Sequence, residues 1–308
     1  GRSGGVACAP ARLGTGEHRL VDSEVHRSLV RSAQRVVRRR IETRRNRPAA
    51  NDRSPTVLAS ITNLALAVHG LGRLAEAESL YRQAMDIAAV RYGESHAQYA
   101  VCLNNLGLLV HDKRTYDEAE AIFRRALAVR RTAFGNEHPE VAISLNNLAR
   151  TLRAQRRYAE AVPLYLEAID IIGKRLGEGH FYMLAMGNNL AVVYDLMERR
   201  DLAIAMYEQA LVRMRPAIGP DHPTIVATLN NLAMGLYRDK QFERSAPIHL
   251  EALAMARRIF GSEHPDIARS LHNLAALRLD QKRFAEAESL ETAAYAMRKK
   301  IFGEGHLE

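Results

Sequence analysis

Cysteine is nearly missing from this chain of 308 residues, which has only Cys8 and Cys102. Two thiols make no disulfide framework, so packing must hold the fold, and a reducing, cytoplasmic setting is expected. No Asn-x-Ser/Thr acceptor occurs, in keeping with that location. No apolar run reaches the roughly 18 residues a membrane-spanning helix needs. Gly-x-x-x-x-Gly-Lys, His-Glu-x-x-His and Cys-x-x-Cys are also absent, which removes the usual signatures of phosphate loops, zinc hydrolases and thiol redox sites. Gly-x-Ser-x-Gly occurs once, at Gly1-Arg2-Ser3-Gly4-Gly5, without the strand and helix a nucleophile elbow requires. No catalytic residue, metal site or cofactor is assigned, and the chain is read as a non-enzyme.

Net charge is scarce where a long binding surface would need it. Residues 1–55 hold thirteen arginines and no lysine against five acidic residues, a net +8. That leaves only +1 of the chain's +9 for residues 56–308. A near-neutral array argues against a nucleic-acid groove along it. The basic character belongs to a leading segment, 1–54, whose first 19 residues read as disordered. Between Leu20 and Ile41 an apolar stripe runs through Val21, Val25, Leu29, Ala33, Val36, Val37 and Ile41, the spacing of an amphipathic helix. Residues 20–47 are therefore the one place where nucleic acid or an anionic membrane is a conceivable partner, and packing on the first repeat is the plainer expectation.

What the chain has in abundance is repetition. Asn-Leu recurs at 63–64, 105–106, 147–148, 189–190, 231–232 and 273–274, a step of 42 residues without slip. Gly-x-x-His keeps the same step, with histidines at His96, His138, His180, His222, His264 and His306. Two motifs in phase mean an array of identical supersecondary units. Each period reads as two antiparallel helices: in the third, Pro139–Ala154 and then Tyr158 to Arg175, with Gly177 at a left-handed stop. Three columns, 65/107/149/191/233/275, 77/119/161/203/245/287 and 84/126/168/210/252/294, are Ala or Gly throughout except for Ser245. Small residues at fixed register bring helices close, and Tyr81, Phe123, Tyr165 and Tyr207 supply the bulk between them. His249 and Glu291 replace the aromatic in the last two repeats, so looser packing is expected there.

Leu-Ala-x-x-Leu followed by Ala161-x-x-x-Tyr165-x-x-Ala168 resembles the tetratricopeptide repeat signature. The 42-residue period, Leu-Asn-Asn-Leu-Ala and Gly-x-x-His-Pro make it similar to the kinesin-light-chain type of that repeat, over residues 55–308. Departures are Ala97 and Phe181 where a repeat should open on Pro, and the absence of the heptad coiled coil by which kinesin light chains join the motor. The resemblance implies an all-α, right-handed superhelical solenoid of six antiparallel helix pairs, with first helices lining a concave groove that holds a peptide. The array stops at Gly303-Glu-Gly-His306-Leu-Glu308, where another first helix should start, so a truncated C-terminus is expected.

The function expected is a protein–protein interaction scaffold. Alternatives are a structural or self-assembling module stacking through uncapped ends, and the recognition arm of a larger signalling protein. In the Asn-Asn pairs, the second residue is expected to serve the fold because every repeat has it. The first, Asn104, Asn146, Asn188 and Asn230, is expected to line the groove and bond a peptide backbone. Arg150, Arg153, Arg238 and Arg269 would select carboxylates through forked contacts, favouring an acidic peptide, and Tyr237 would add an aromatic wall. The six histidines are too far apart to share a metal ion and are read as turn or helix-cap residues.

Overall fold

The structure, a computed structural model, describes residues 55–302. The leading segment with its stripe at 20–41, and residues 303–308 with Gly303 and His306, lie outside the described residues. Among those described there are twelve helices and no strand: α1 Pro55–Gly70, α2 Leu74–Tyr92, α3 Ala97–Asp112, α4 Tyr116–Phe134, α5 Pro139–Ala154, α6 Tyr158–Leu176, α7 Phe181–Leu196, α8 Arg200–Ile218, α9 Pro223–Arg238, α10 Phe242–Phe260, α11 Pro265–Asp280 and α12 Phe284–Phe302. First helices have 16 residues and second helices 19, so the 42-residue step is carried in the element lengths. The third period forms as expected, with α6 running one residue further, to Leu176.

Two compact bodies divide the chain, Gly1–Leu164 and Tyr165–Glu308. Within each, paired helices of a repeat pack together, second helices pack on the next first helix, and successive first helices touch. The small-residue columns explain the closeness. All eighteen positions are buried, with Ala65, Ala77, Ala119, Ala149, Ala161 and Ala203 at 0% exposure. In the second repeat the approach is so tight that a Cβ on Gly107 would lie 2.7 Å from the Phe123 ring. Phe123 is 1% exposed, and burying a side chain of that size contributes about 2–3 kcal/mol. Ser245, the exception in its column, is satisfied by donating to the Ala233 carbonyl at 2.8 Å.

The fifth repeat is not loose. His249 takes the aromatic position at 0% exposure, and neither ring nitrogen has a hydrogen-bond partner. Burial lowers its pKa to about 4, so it is neutral near neutral pH.

Two turns set the stride. Between repeats, Gly93, Gly135, Gly177, Gly219 and Gly261 have φ of 79–93°. The ψ at Gly93 and Gly135 is 155° and 171°, an extended region that only glycine enters readily, rather than the left-handed helical basin. Three residues on, the histidine caps the next helix. His96, His138, His180, His222 and His264 each accept from the backbone N–H two residues later at 3.0–3.2 Å through Nδ1. The cap reading of Gly-x-x-His holds for these five, and that bond fixes the neutral Nε2–H tautomer. His96, His138 and His264 also stack on the aromatic before the glycine, Tyr92, Phe134 and Phe260.

Inside each repeat the turn has one left-handed residue: Gly72, Arg114, Arg156, Glu198, Lys240 and Lys282, with φ of 59–75°. The following N–H reaches back five residues, as from Arg157 to the Leu152 carbonyl at 2.9 Å, closing a Schellman-type cap. Composition gave no hint of this column, because only Gly72 is a glycine.

Candidate functional site

Within each body first helices present an open line, except on α5, where Ile143, Asn147 and Arg150 at the same positions are buried. On α9 it is Ala227, Asn231, Met234 and Arg238; on α11 it is Arg269, Asn273, Ala276 and Asp280. Steps of four, three and four put these residues on one helical face. On α7, Asn189, Val192 and Leu196 continue the pattern within the second body, and in the first body Asn63, Leu66, Val101, Leu108 and Asp112 follow it. The face therefore has an apolar strip (Leu66, Leu108; Val192, Met234), a column of asparagines beside it and a polar ledge at the helix ends.

The ledge is stitched from one repeat to the next at a step of 43 residues. His69 Nε2 lies 2.9 Å from Asp112 Oδ2, the Tyr237 hydroxyl donates to Asp280 Oδ2 at 2.6 Å, and Arg238 pairs with Asp195. The Asp280 bond raises the Tyr237 pKa. Burial works upward on Asp112, but the His69 hydrogen bond and the fields of His69, Arg150 and His111 outweigh it, so its carboxyl is held below the usual range. His111, one residue away, contacts Thr151 Oγ1 at 3.2 Å. Burial first, then Arg150, lowers its pKa to about 4, against the opposing pull of Asp112.

Asn104, Asn146, Asn188 and Asn230 do not face that line. They are 1%, 0%, 8% and 2% exposed, which corrects their expected orientation. The reason is angular: on α9, Asn231 sits three residues before open Met234, whereas Asn230 is turned about 100° toward the neighbouring helix. Asn104 Oδ1 accepts from Asn147 Nδ2 at 2.8 Å, and Asn230 Oδ1 accepts from Ser270 Oγ at 3.0 Å. Asn146 Nδ2 donates to Asn147 Oδ1 at 3.4 Å. Nδ2 of Asn104, Oδ1 of Asn188 and Nδ2 of Asn230 have no partner. The second asparagines are more open at Asn63, Asn189, Asn231 and Asn273, though Asn105 and Asn147 are buried. Sequence reasoning passed over them because presence in every repeat read as structural.

The cations differ in state. Arg238 is engaged by Asp195, and Arg269 Nη2 donates to Asp266 Oδ1 at 2.6 Å within its own helix. Arg150 is 6% exposed. Arg153 is half-buried and forms no ion pair with a described residue. Arg150 and Arg153 both act on His111, which places them in one cationic neighbourhood at the end of α5. Among the described residues no group of three or more His, Cys, Asp or Glu is placed to hold a metal ion. No helix among them is long and apolar enough to cross a membrane.

The tetratricopeptide repeat family profile matches residues 57–114, 109–174, 182–244 and 224–300. The chain belongs to the tetratricopeptide repeat family. Its fold is an all-α repeat solenoid, similar to those of kinesin-light-chain-like repeat proteins. Solved structures agree on the fold. The nearly identical TPR-like repeats of a kinesin-light-chain protein from Podosopora anserina are 24% identical, with a TM-score of 0.56 over 67% of this chain and 97% of that one. BtubC (BKLC) from P. vanneervenii is 19% identical, with a TM-score of 0.57 over 92% and 94%. A STAND signal-transduction ATPase with a tetratricopeptide repeat sensor from Pyrococcus horikoshii is 15% identical, with a TM-score of 0.66 over 90% of this chain and 41% of that one. No curated protein matches. Family membership supports a protein–protein interaction scaffold.

Proposed function

We propose that the open first-helix faces hold an extended peptide of a partner protein. The carrying observation is the open line itself, where a half-exposed asparagine recurs beside an apolar strip. An amide both donates and accepts, so Asn189, Asn231 and Asn273 suit a peptide backbone whatever its sequence. The buried asparagines behind them, Asn104, Asn146, Asn188 and Asn230, fix the spacing of first helices. In the first body Arg153, with Arg150 beside it, suits a carboxylate, so an acidic residue in the peptide is preferred there. Tyr237, Arg238 and Arg269 border the line, already engaged by Asp280, Asp195 and Asp266. A reducing compartment such as the cytosol fits, with Cys102 buried and in no disulfide with a described residue.

The test is fluorescence polarisation with acidic peptides selected on an array. Arg153→Glu should weaken binding about tenfold or more with helicity intact, the scale of one or two charged hydrogen bonds. Asn231→Ala with Asn273→Ala should weaken acidic and neutral peptides alike. Unchanged affinity in both variants ends the proposal.

A second reading, end-to-end self-association, is favoured by apolar exposure on the last repeat. Tyr295 is 50% exposed in a column where Leu127, Leu211 and Leu253 are 8%, 6% and 6% exposed, and Phe284 is 63% exposed. Light scattering that rises with concentration, and falls on Phe284→Lys, supports that reading.

A further inference from the structure

A solenoid repeat has one face for its predecessor and one for its successor, so a first repeat leaves the former uncovered. The second body identifies the residues of that face. On α8, Leu202, Ala205, Met206 and Gln209 line an open hollow of about 430 Å³ with Leu166 of α6, the preceding second helix. The same columns on α2 are Glu76, Ser79, Leu80 and Gln83. A hollow of about 480 Å³ lies there too, bordered by Ala75, Glu78, Ser79, Arg82, Gln83 and Asp86. All six belong to α2, and no described helix stands opposite them as α6 does for α8. On α1 the pattern repeats. Cys102 of α3 is 1% exposed in a cluster with Ala84 and Ala88 of α2, whereas its counterpart on α1, Ser60, is only half-buried.

We propose that residues 20–41 of this chain fill that face as a helix, standing in for the second helix of a preceding repeat. Their sequence supplies what the face lacks. Val21, Val25, Leu29, Ala33, Val36 and Ile41 form one apolar stripe about six turns long, and a second helix of the array spans just over five. Ser32 and Ala33 allow a close crossing, as the alanine columns do elsewhere. Thirteen residues, 42–54, separate the stripe from Pro55, whereas the array itself turns from a second helix to the next first helix in four, 93–96. The connection is therefore ample for an antiparallel return. Charge is a secondary contribution: Glu76 pairs with Arg73, and Glu78 with Arg82 and Lys113, which leaves Asp86 as the acid beside the receiving face without an ion pair to a described residue. This inference is independent of any ligand on the first-helix line.

Hydrogen exchange on the full chain tests it, comparing wild type with Val25→Asp/Leu29→Asp. The substitutions lie outside the repeats, so the array still folds. Amides of α1 and α2 are expected to exchange about tenfold faster or more in the variant, with α10 unchanged. Arg27→Glu/Arg31→Glu should give a smaller loss that added salt also produces in wild type. Equal protection of α1 and α2 in wild type and both variants overturns the proposal. Wild type that sediments with phosphatidylcholine–phosphatidylserine vesicles, while α1 and α2 protection is unchanged by Val25→Asp/Leu29→Asp, overturns it in favour of a membrane anchor.

Discussion

Replacing His249 with Phe should stabilise the fifth repeat, and more so in acid. The imidazole is 0% exposed and leaves one donor and one acceptor unbonded. Each such orphan costs about 1–3 kcal/mol. Room for the larger ring has a precedent in the same body, since Tyr207 holds the equivalent position at 1% exposure. Overpacking subtracts about 1–3 kcal/mol, so a net gain of about 1–3 kcal/mol is expected at pH 7. The pH term has a definite sign. The folded pKa is about 4 against an ordinary 6.5, so the unfolded chain takes up a proton first as pH falls. Stability is lost between about pH 6.5 and 4, reaching about 3 kcal/mol for a gap of that size. Phe removes this loss. His111, whose pKa is also about 4, is present in both proteins and cancels in the difference. The assay is thermal melting at pH 7 and pH 4.5, with hydrogen exchange of α10 to localise the change, because repeat arrays need not melt in one step. A wild-type-to-variant gap that does not widen in acid refutes the burial argument.

The remaining predictions concern turns and contacts. Lys240 holds φ of 61°, and Lys240→Gly relieves about 1 kcal/mol of left-handed strain, read as a higher Tm. Gly107→Ala drives a methyl group to within 2.7 Å of Phe123, and the chemical denaturation midpoint should fall by the equivalent of about 1–3 kcal/mol. Arg130, 1% exposed, donates to Ser144 Oγ at 2.8 Å and to the Glu140 carbonyl at 3.1 Å, and pairs with the Glu140 carboxylate at 2.7 Å. Glu140→Ala strands that guanidinium and should cost about 1–3 kcal/mol, whereas Arg130→Met should stay within about 1 kcal/mol of wild type. Urea melts of the two variants decide it, and equal losses refute the account.

Period was legible because packing writes itself into every repeat. The alanine columns, the Gly-x-x-His turns and the helix bounds Pro139–Ala154 all follow from residues that each repeat needs for the same contact. Orientation about a first helix was less legible, since Asn230 and Asn231 differ by one position and both lie near apolar residues. Burial separates them only once the neighbouring helix is in place. The left-handed turn residue was illegible for another reason. Arg114, Arg156, Glu198, Lys240 and Lys282 tolerate positive φ because backbone bonds on both sides hold the turn, so no glycine is required. Nor does a sequence show that Arg238 is already spoken for by Asp195, which lies 43 residues earlier.

That last pairing decides where selectivity toward acidic partners arises. Arg238 is half-exposed, but its partner Asp195 has a side chain only 8% exposed. A ligand carboxylate that draws Arg238 away leaves that nearly buried carboxylate unpaired, so little affinity is gained. Arg269 is in the same position with Asp266. Arg153 has no described counter-ion to displace, and a charged hydrogen bond made there contributes about 1.5–3 kcal/mol. Arg150 keeps the local field positive, His111 beside it is neutral, and the nearby carboxylate, Asp112, is held by His69. Selection for acid is therefore expected in the first body, while the asparagine line of the second binds without regard to charge. In a peptide bound to the first body, replacing the acidic residue by its amide should then lower affinity, while replacements elsewhere in that peptide stay within about twofold.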